Sequence, residues 1–133
     1  MRKDAREVVY KILFSKIYVD YDEDLFNTLC REFSLKEDEI VFARDLLKKI
    51  DDNIAELDGI ISDLANNYKL DRVYPTDRCA LYIGLAEMTY SKDVPTVVAI
   101  DEAISLCRKY STKESLSFVN GILAKYKNNL ENR

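Results

Sequence analysis

A chain of 133 residues in which 47% of the side chains are apolar and 33% charged, with three glycines and two prolines, fits one ordinary globular domain spanning residues 1–133. It is poor in the turn residues that many short strands need, and its apolar runs are too short and too interrupted by charge for a membrane span or a secretory leader; a cytoplasmic protein is expected. Histidine is absent, which removes the commonest general base and metal ligand and any Ser/His/Asp or Cys/His arrangement, so neither catalysis nor a bound cofactor is expected.

The formal net charge of −4 hides an uneven distribution. Residues 1–19 carry five basic and two acidic side chains, 20–58 five and thirteen, 59–107 four and seven, and 108–133 six and two. Both ends are therefore basic and the middle acidic.

The first predicted element is an amphipathic helix over about residues 3–19, with Ala5, Val8, Val9, Ile12, Leu13 and Ile17 on one stripe. The acidic cluster Asp20 to Asp24 breaks it. A short helix follows with Leu25, Phe26, Leu29, Cys30 and Phe33, and Ser34 with Glu37 has the spacing of a capping box that opens the next. From Ile40 the apolar positions Ala43, Leu47, Ile50, Ile54, Leu57, Ile61 and Leu64 alternate steps of three and four, which predicts one long helix, bent near Asp51. Phe42, Leu46 and Ile60 widen that stripe beyond a coiled-coil seam, so it belongs inside a compact bundle.

Residues 70–75 read as a connector, and Pro75 opens a helix running to about Ser91. Gly84 in its interior marks the close approach of another helix, because a mid-helix glycine costs about 1 kcal/mol against alanine. Asp93-Val94-Pro95 restarts the chain with Pro95 at the first helical position, and Val97, Ile100, Ile104 and Cys107 give a buried stripe as far as Tyr110. Ser111 with Glu114 forms a second capping-box pattern before a last helix carrying Leu116, Val119, Ile122, Leu123 and Tyr126, and the polar tail after Lys127 is expected to fray. The sum is an all-α bundle of six to seven helices. The three cysteines, Cys30, Cys79 and Cys107, each fall within a helical pattern and read as buried, reduced thiols.

Three groups could carry a function. Arg2, Lys3, Arg6 and Tyr10 flank the apolar stripe of the first helix, and cations beside an aromatic ring suit RNA phosphates and unstacked bases; a merely solvated helix start explains them too. Arg108, Lys109 and Lys113 surround the turn into the last helix, whose free amides could receive a phosphate, although cations at one helix C-terminus and a cap on the next account for them as well. Phe118-Val119-Asn120-Gly121 places Asn and Gly inside a good helix, as a position crowded by a neighbouring helix or touched by a ligand would require. Asp101 and Glu102 are adjacent, project in different directions and make an unconvincing catalytic pair.

Asp93-Val94-Pro95, Val98-Ala99-Ile100-Asp101-Glu102-Ala103 and Phe118-Val119-Asn120-Gly121-Ile122-Leu123, in this order and spacing, are similar to the C-terminal signature of the NusB family. Arg6, the segment Phe42 to Leu47 and Leu57-Asp58-Gly59 extend the resemblance over essentially the whole chain. What it implies is a compact bundle of about seven helices that binds the single-stranded boxA element of nascent RNA with the ribosomal protein NusE. Through that complex it would help RNA polymerase resist termination, especially on ribosomal RNA operons. Carried over by position, the RNA contacts fall on Arg2, Lys3 and Arg6, beside Tyr10 from the reading above, and on Lys113, Glu114, Ser115 and Phe118, and the partner surface near Asp77, Arg78 and Tyr82.

The N-terminal arm is shorter and less basic than is usual in the family, and Asp101 stands where the family usually has Asn. Few cations imply a shallow salt dependence of RNA binding and extra RNA contacts from the partner. Similar domains open certain ribosomal RNA cytosine methyltransferases, which continue into a cofactor-binding α/β domain; these 133 residues carry no such pattern, so a standalone enzyme is not expected. A purely protein-binding or self-associating module, in which the acidic middle meets a basic partner, is the remaining alternative.

Overall fold

The structure, a computed structural model, describes residues 2–66 and 69–132. Among these residues it consists of seven α-helices and one 3₁₀ turn: α1 (Arg2–Tyr18), α2 (Glu23–Glu32), α3 (Glu37–Asp52), α4 (Ile54–Leu64), the turn Leu70–Arg72, α5 (Pro75–Tyr90), α6 (Thr96–Tyr110) and α7 (Lys113–Glu131). The all-α reading holds, and none of these helices is long and apolar enough to cross a membrane. The three cysteines are free and buried, and burial raises the thiols of Cys79 and Cys107 to about 12 and about 11.

Helix α5 is the hub, packing against α1, α3, α4, α6 and α7. Every residue from Cys79 to Glu87 is buried, so this helix is enclosed all round rather than striped. Gly84 lets two helices reach its backbone: a Cβ there would lie 3.0 Å from Ala103 Cβ on α6 and 3.2 Å from Leu123 Cδ2 on α7. Gly84→Val should destabilise the fold by about 1–3 kcal/mol, seen as a lower urea midpoint with unchanged slope, since a β-branched side chain overpacks that junction. An unchanged or higher midpoint would show that the helices can part without cost. Gly121 differs from the crowded position expected of it, for a Cβ there would meet nothing within 4 Å and Asn120 is exposed.

Several element ends depart from the sequence reading, and each departure has a local cause. The expected long helix is interrupted at Asn53, whose Nδ2 donates to the Lys49 carbonyl (2.8 Å) while its backbone amide turns to Ile50 O (3.2 Å). The side chain thus takes a carbonyl the next turn would have used. Ser34 does not open α3. It lies in the left-handed region at φ 52° and closes α2, with Leu35 N bonded to Cys30 O (2.9 Å) and Ser34 N to Arg31 O (3.0 Å), as in a Schellman turn. Helix α3 begins after Lys36, whose amide donates to the Glu39 carboxylate (3.1 Å). At α7 the cap is Thr112 rather than Ser111, with Ser115 N donating to Thr112 Oγ1 (3.2 Å), because the Ser111 hydroxyl is bonded elsewhere. Pro95 precedes the first helical residue of α6 rather than occupying that position. Helix α7 also runs on to Glu131, supported by the Lys127–Glu131 ion pair (2.9 Å), where fraying was expected.

Candidate nucleic-acid interface

Tyr10, Phe14 and Tyr18 lie four residues apart, so they form a row on one side of α1, beside the apolar stripe. The row passes from core to solvent: Tyr10 is buried, Phe14 is at the margin, and Tyr18 is 65% exposed. Tyr10 stacks on Tyr110 from the end of α6, with ring centroids 4.9 Å apart and planes inclined by 17°. Lys11 Nζ on α1 lies 5.1 Å and Lys109 Nζ on α6 5.6 Å from the centroid of that Tyr110 ring, so each helix brings a cation to it. Phe14 and Tyr18 meet at 5.4 Å with planes tilted by 59°.

Glu7 anchors the stack. Its carboxylate accepts hydrogen bonds from Lys109 Nζ (2.8 Å) and Tyr110 Oη (2.6 Å). Burial opposes ionisation of Glu7, but these two donors and the charges of Lys109 and Lys11 outweigh it and hold the carboxyl below its ordinary range. Tyr110 moves the other way, raised by its own burial and by the Glu7 carboxylate, so it remains a neutral hydrogen-bond donor.

Around these rings runs a chain of open grooves. One of about 360 Å³ between α1 and α6 is lined by Lys3, Glu7, Glu102, Arg108 and Lys109. The next, about 450 Å³, is walled by Phe14, Tyr18, Tyr74, Tyr110, Ser111 and Thr112. Tyr74, 65% exposed just before α5, also edges a third groove of about 400 Å³ with Arg72, Asp77, Glu114, Ser115 and Phe118. The last two grooves share Tyr74, and the α1–α6 groove adjoins them at the Lys109–Tyr110 step, so exposed rings stand between cations from the start of α1 and the end of α6 and the first turn of α7. Such a surface offers charges to a phosphate backbone and flat faces to unstacked bases.

The expected contact residues divide sharply. Lys3, Lys113 and Glu114 are exposed, Phe118 edges a groove, and Arg2 is half-exposed but bonded to Asp93 (2.9 Å) with its guanidinium 4.5 Å from the Phe42 ring centroid. Arg6 is not a surface cation. It is buried, donating from Nε and NH2 to the two carboxylate oxygens of Glu87 at 2.6 and 2.8 Å, because the inward face of α1 turns it toward α5. Tyr10 is likewise enclosed, its hydroxyl donating to the Thr76 carbonyl (3.0 Å), and Ser115 is buried on the inner side of α7, with its hydroxyl on Asp77. Of the expected partner residues, Asp77 is buried under two serine hydroxyls, Tyr82 is buried with its hydroxyl on Asp58 (2.5 Å), and only Arg78 is half-buried, with Nε lacking a hydrogen-bond partner.

Sequence reading missed Lys11, Phe14, Tyr18, Arg72, Tyr74 and Tyr110. The signal for two of them was present: Phe14 and Tyr18 are large apolar residues that fall off the stripe of α1, and at helical spacing from Tyr10. Nothing local marks Tyr74 and Tyr110, which join the face only through tertiary packing.

The geometry defines a helical bundle with an open, ring- and cation-lined face, the form of a nucleic-acid-binding helical domain. A family model described as the NusB family matches residues 2–128, and the chain belongs to that family. The transcription antitermination protein NusB of Acetivibrio thermocellus is 34% identical over 125 residues, covering 93% of this chain and 86% of its own length, and that of Desulforamulus reducens is 33% identical over 129 residues, covering 96% and 90%. Among solved structures, NusB of T. maritima superposes with a TM-score of 0.85 at 32% identity, covering 94% of this chain and 89% of that one. A structure of the antitermination factors NusB and NusE in complex with double-stranded RNA superposes with a TM-score of 0.82 at 27% identity, covering 93% of both chains.

Proposed function

We propose that this chain, as a single binding domain over residues 1–133, is a transcription antitermination factor that binds boxA-type single-stranded RNA together with the ribosomal protein NusE. Acting in the cytoplasm, it supports transcription of ribosomal RNA operons and reaches the RNA polymerase elongation complex indirectly, through that assembly. It works by binding rather than by catalysis. The observation that carries the RNA part is the linked face in which Tyr18, Tyr74 and Phe14 stand exposed between Lys3, Lys11, Arg108 and Lys113. Membership of a family whose relatives are antitermination proteins, and likeness to a NusB–NusE–RNA complex, support the rest.

On this reading RNA lies across the rings, with phosphates on the flanking cations, and NusE binds on the α5 side near Arg78. The test is RNA binding by fluorescence anisotropy, with and without the ribosomal protein, at two salt concentrations. Affinity should rise when the partner is added. Each phosphate neutralised contributes about 0.7 to the slope of log affinity against log salt, so the binary complex should show a shallow slope, corresponding to few phosphates, that steepens with the partner. An affinity indifferent to both partner and salt would overturn the reading, as would concentration-dependent self-association in place of RNA binding.

A further inference from the structure

The buried polar cluster at the start of α5 has no place in a simple contact surface. Asp77 is only 3% exposed, and both carboxylate oxygens are engaged: Oδ1 accepts from Ser111 Oγ (2.7 Å) and Oδ2 from Ser115 Oγ (2.9 Å). An ionised carboxylate can only accept, so it sets the direction of every hydroxyl proton behind it. The Ser111 proton is shared between Asp77 and Ser115 Oγ, 2.9 Å away, and with the Ser115 proton on Asp77 the two serines offer lone pairs to Thr76 Oγ1 and Thr112 Oγ1, each 3.2 Å away; Thr112 in turn accepts from Ser115 N at the head of α7. The Thr76 carbonyl takes the Tyr10 hydroxyl (3.0 Å), which ties α1 and its stacked Tyr10–Tyr110 pair to the same node.

The node lies beneath the wall shared by two grooves of the RNA face. Ser111 and Thr112 border one with Tyr18 and Tyr110, and Asp77 and Ser115 border the other with Arg72, Glu114 and Phe118; Tyr74 stands on the divide. We propose that Asp77 is a positioning residue for RNA: through Ser111 and Ser115 it fixes the first turn of α7, with Lys113 and Phe118, at the spacing from Tyr74, Tyr18 and Tyr110 that nucleotides require. This role rests on the RNA-binding reading above and differs from that of a partner contact, for which the enclosed carboxylate is badly placed.

Asp77→Asn keeps the volume but puts an amide donor where a serine hydroxyl now donates, reversing the order of the chain. Well below the melting temperature its binary RNA affinity should fall by about tenfold, on the scale of one hydrogen bond to a charged group. The salt slope should stay unchanged, since no cation is lost. The Ser111→Ala/Ser115→Ala variant should show a similar loss, and adding Asp77→Asn to it should cost little more, because all three act through one network. Wild-type RNA binding is the control: if it is absent, the functional reading fails and takes this role with it. If wild type binds and Asp77→Asn binds equally well, with only its melting temperature lowered, Asp77 is merely structural. Strict additivity of the two sets of losses, or a loss confined to binding of the ribosomal protein, also overturns the role.

Discussion

Replacing Arg6 with alanine should remove about 3–5 kcal/mol of folding stability, a large part of the 5–15 kcal/mol typical of a single domain. The side chains of Arg6 and Glu87 are 5% and 0% exposed, and the guanidinium meets the carboxylate with two parallel hydrogen bonds. Phe42 faces the same guanidinium at 5.2 Å, and Glu102 Oε2 approaches it to 3.9 Å from α6. Deleting the arginine leaves the Glu87 carboxylate buried without a counter-charge, and that penalty, rather than the worth of the pair, makes the loss large. Arg6→Lys should rescue little, because an ammonium cannot supply the two-pronged geometry. Arg6→Met combined with Glu87→Leu should be more stable than Arg6→Ala, since no charge is then stranded. Urea unfolding followed by circular dichroism measures all three. A loss below about 1 kcal/mol for Arg6→Ala would mean that water reaches Glu87 and the pair is not sealed. The same geometry decides how the RNA face is probed: Lys3 can be removed without touching the core, Arg6 cannot.

The largest expected effect on binding comes from the rings. Tyr18→Ala combined with Tyr74→Ala should weaken RNA binding by about one to four powers of ten, if each ring stacks one base at about 1–3 kcal/mol. Both rings are 65% exposed, so their removal should leave thermal unfolding nearly unchanged. Anisotropy titrations should give parallel salt plots displaced downward, because the rings carry no charge. Lys3→Ala with Lys113→Ala should do the opposite, lowering the slope itself. RNA affinity equal to wild type after loss of both rings would place the nucleotides elsewhere on the molecule.

Much of the helical framework follows from residues within a turn or two of one another. The stripe of α1, the apolar periodicity of α3 and α4, Pro75 at the head of α5 and the glycine at its centre all act through neighbours three or four positions away, so they are legible in one dimension. Even the exposed rings of α1 were signalled, as large residues off the stripe. The fate of charged and polar side chains was not. Arg6 reads as a surface cation until Glu87, 81 residues later, is folded against it, and Ser111 reads as a helix cap until Asp77 takes its hydroxyl from 34 residues away. The contacts that remove a charge from solvent or commit a hydroxyl proton join distant parts of the chain, and their desolvation balance exists only once those parts are packed. Periodicity in the sequence determined where the helices form; the three-dimensional packing of α1, α5, α6 and α7 decided which of their polar groups remain free to meet RNA.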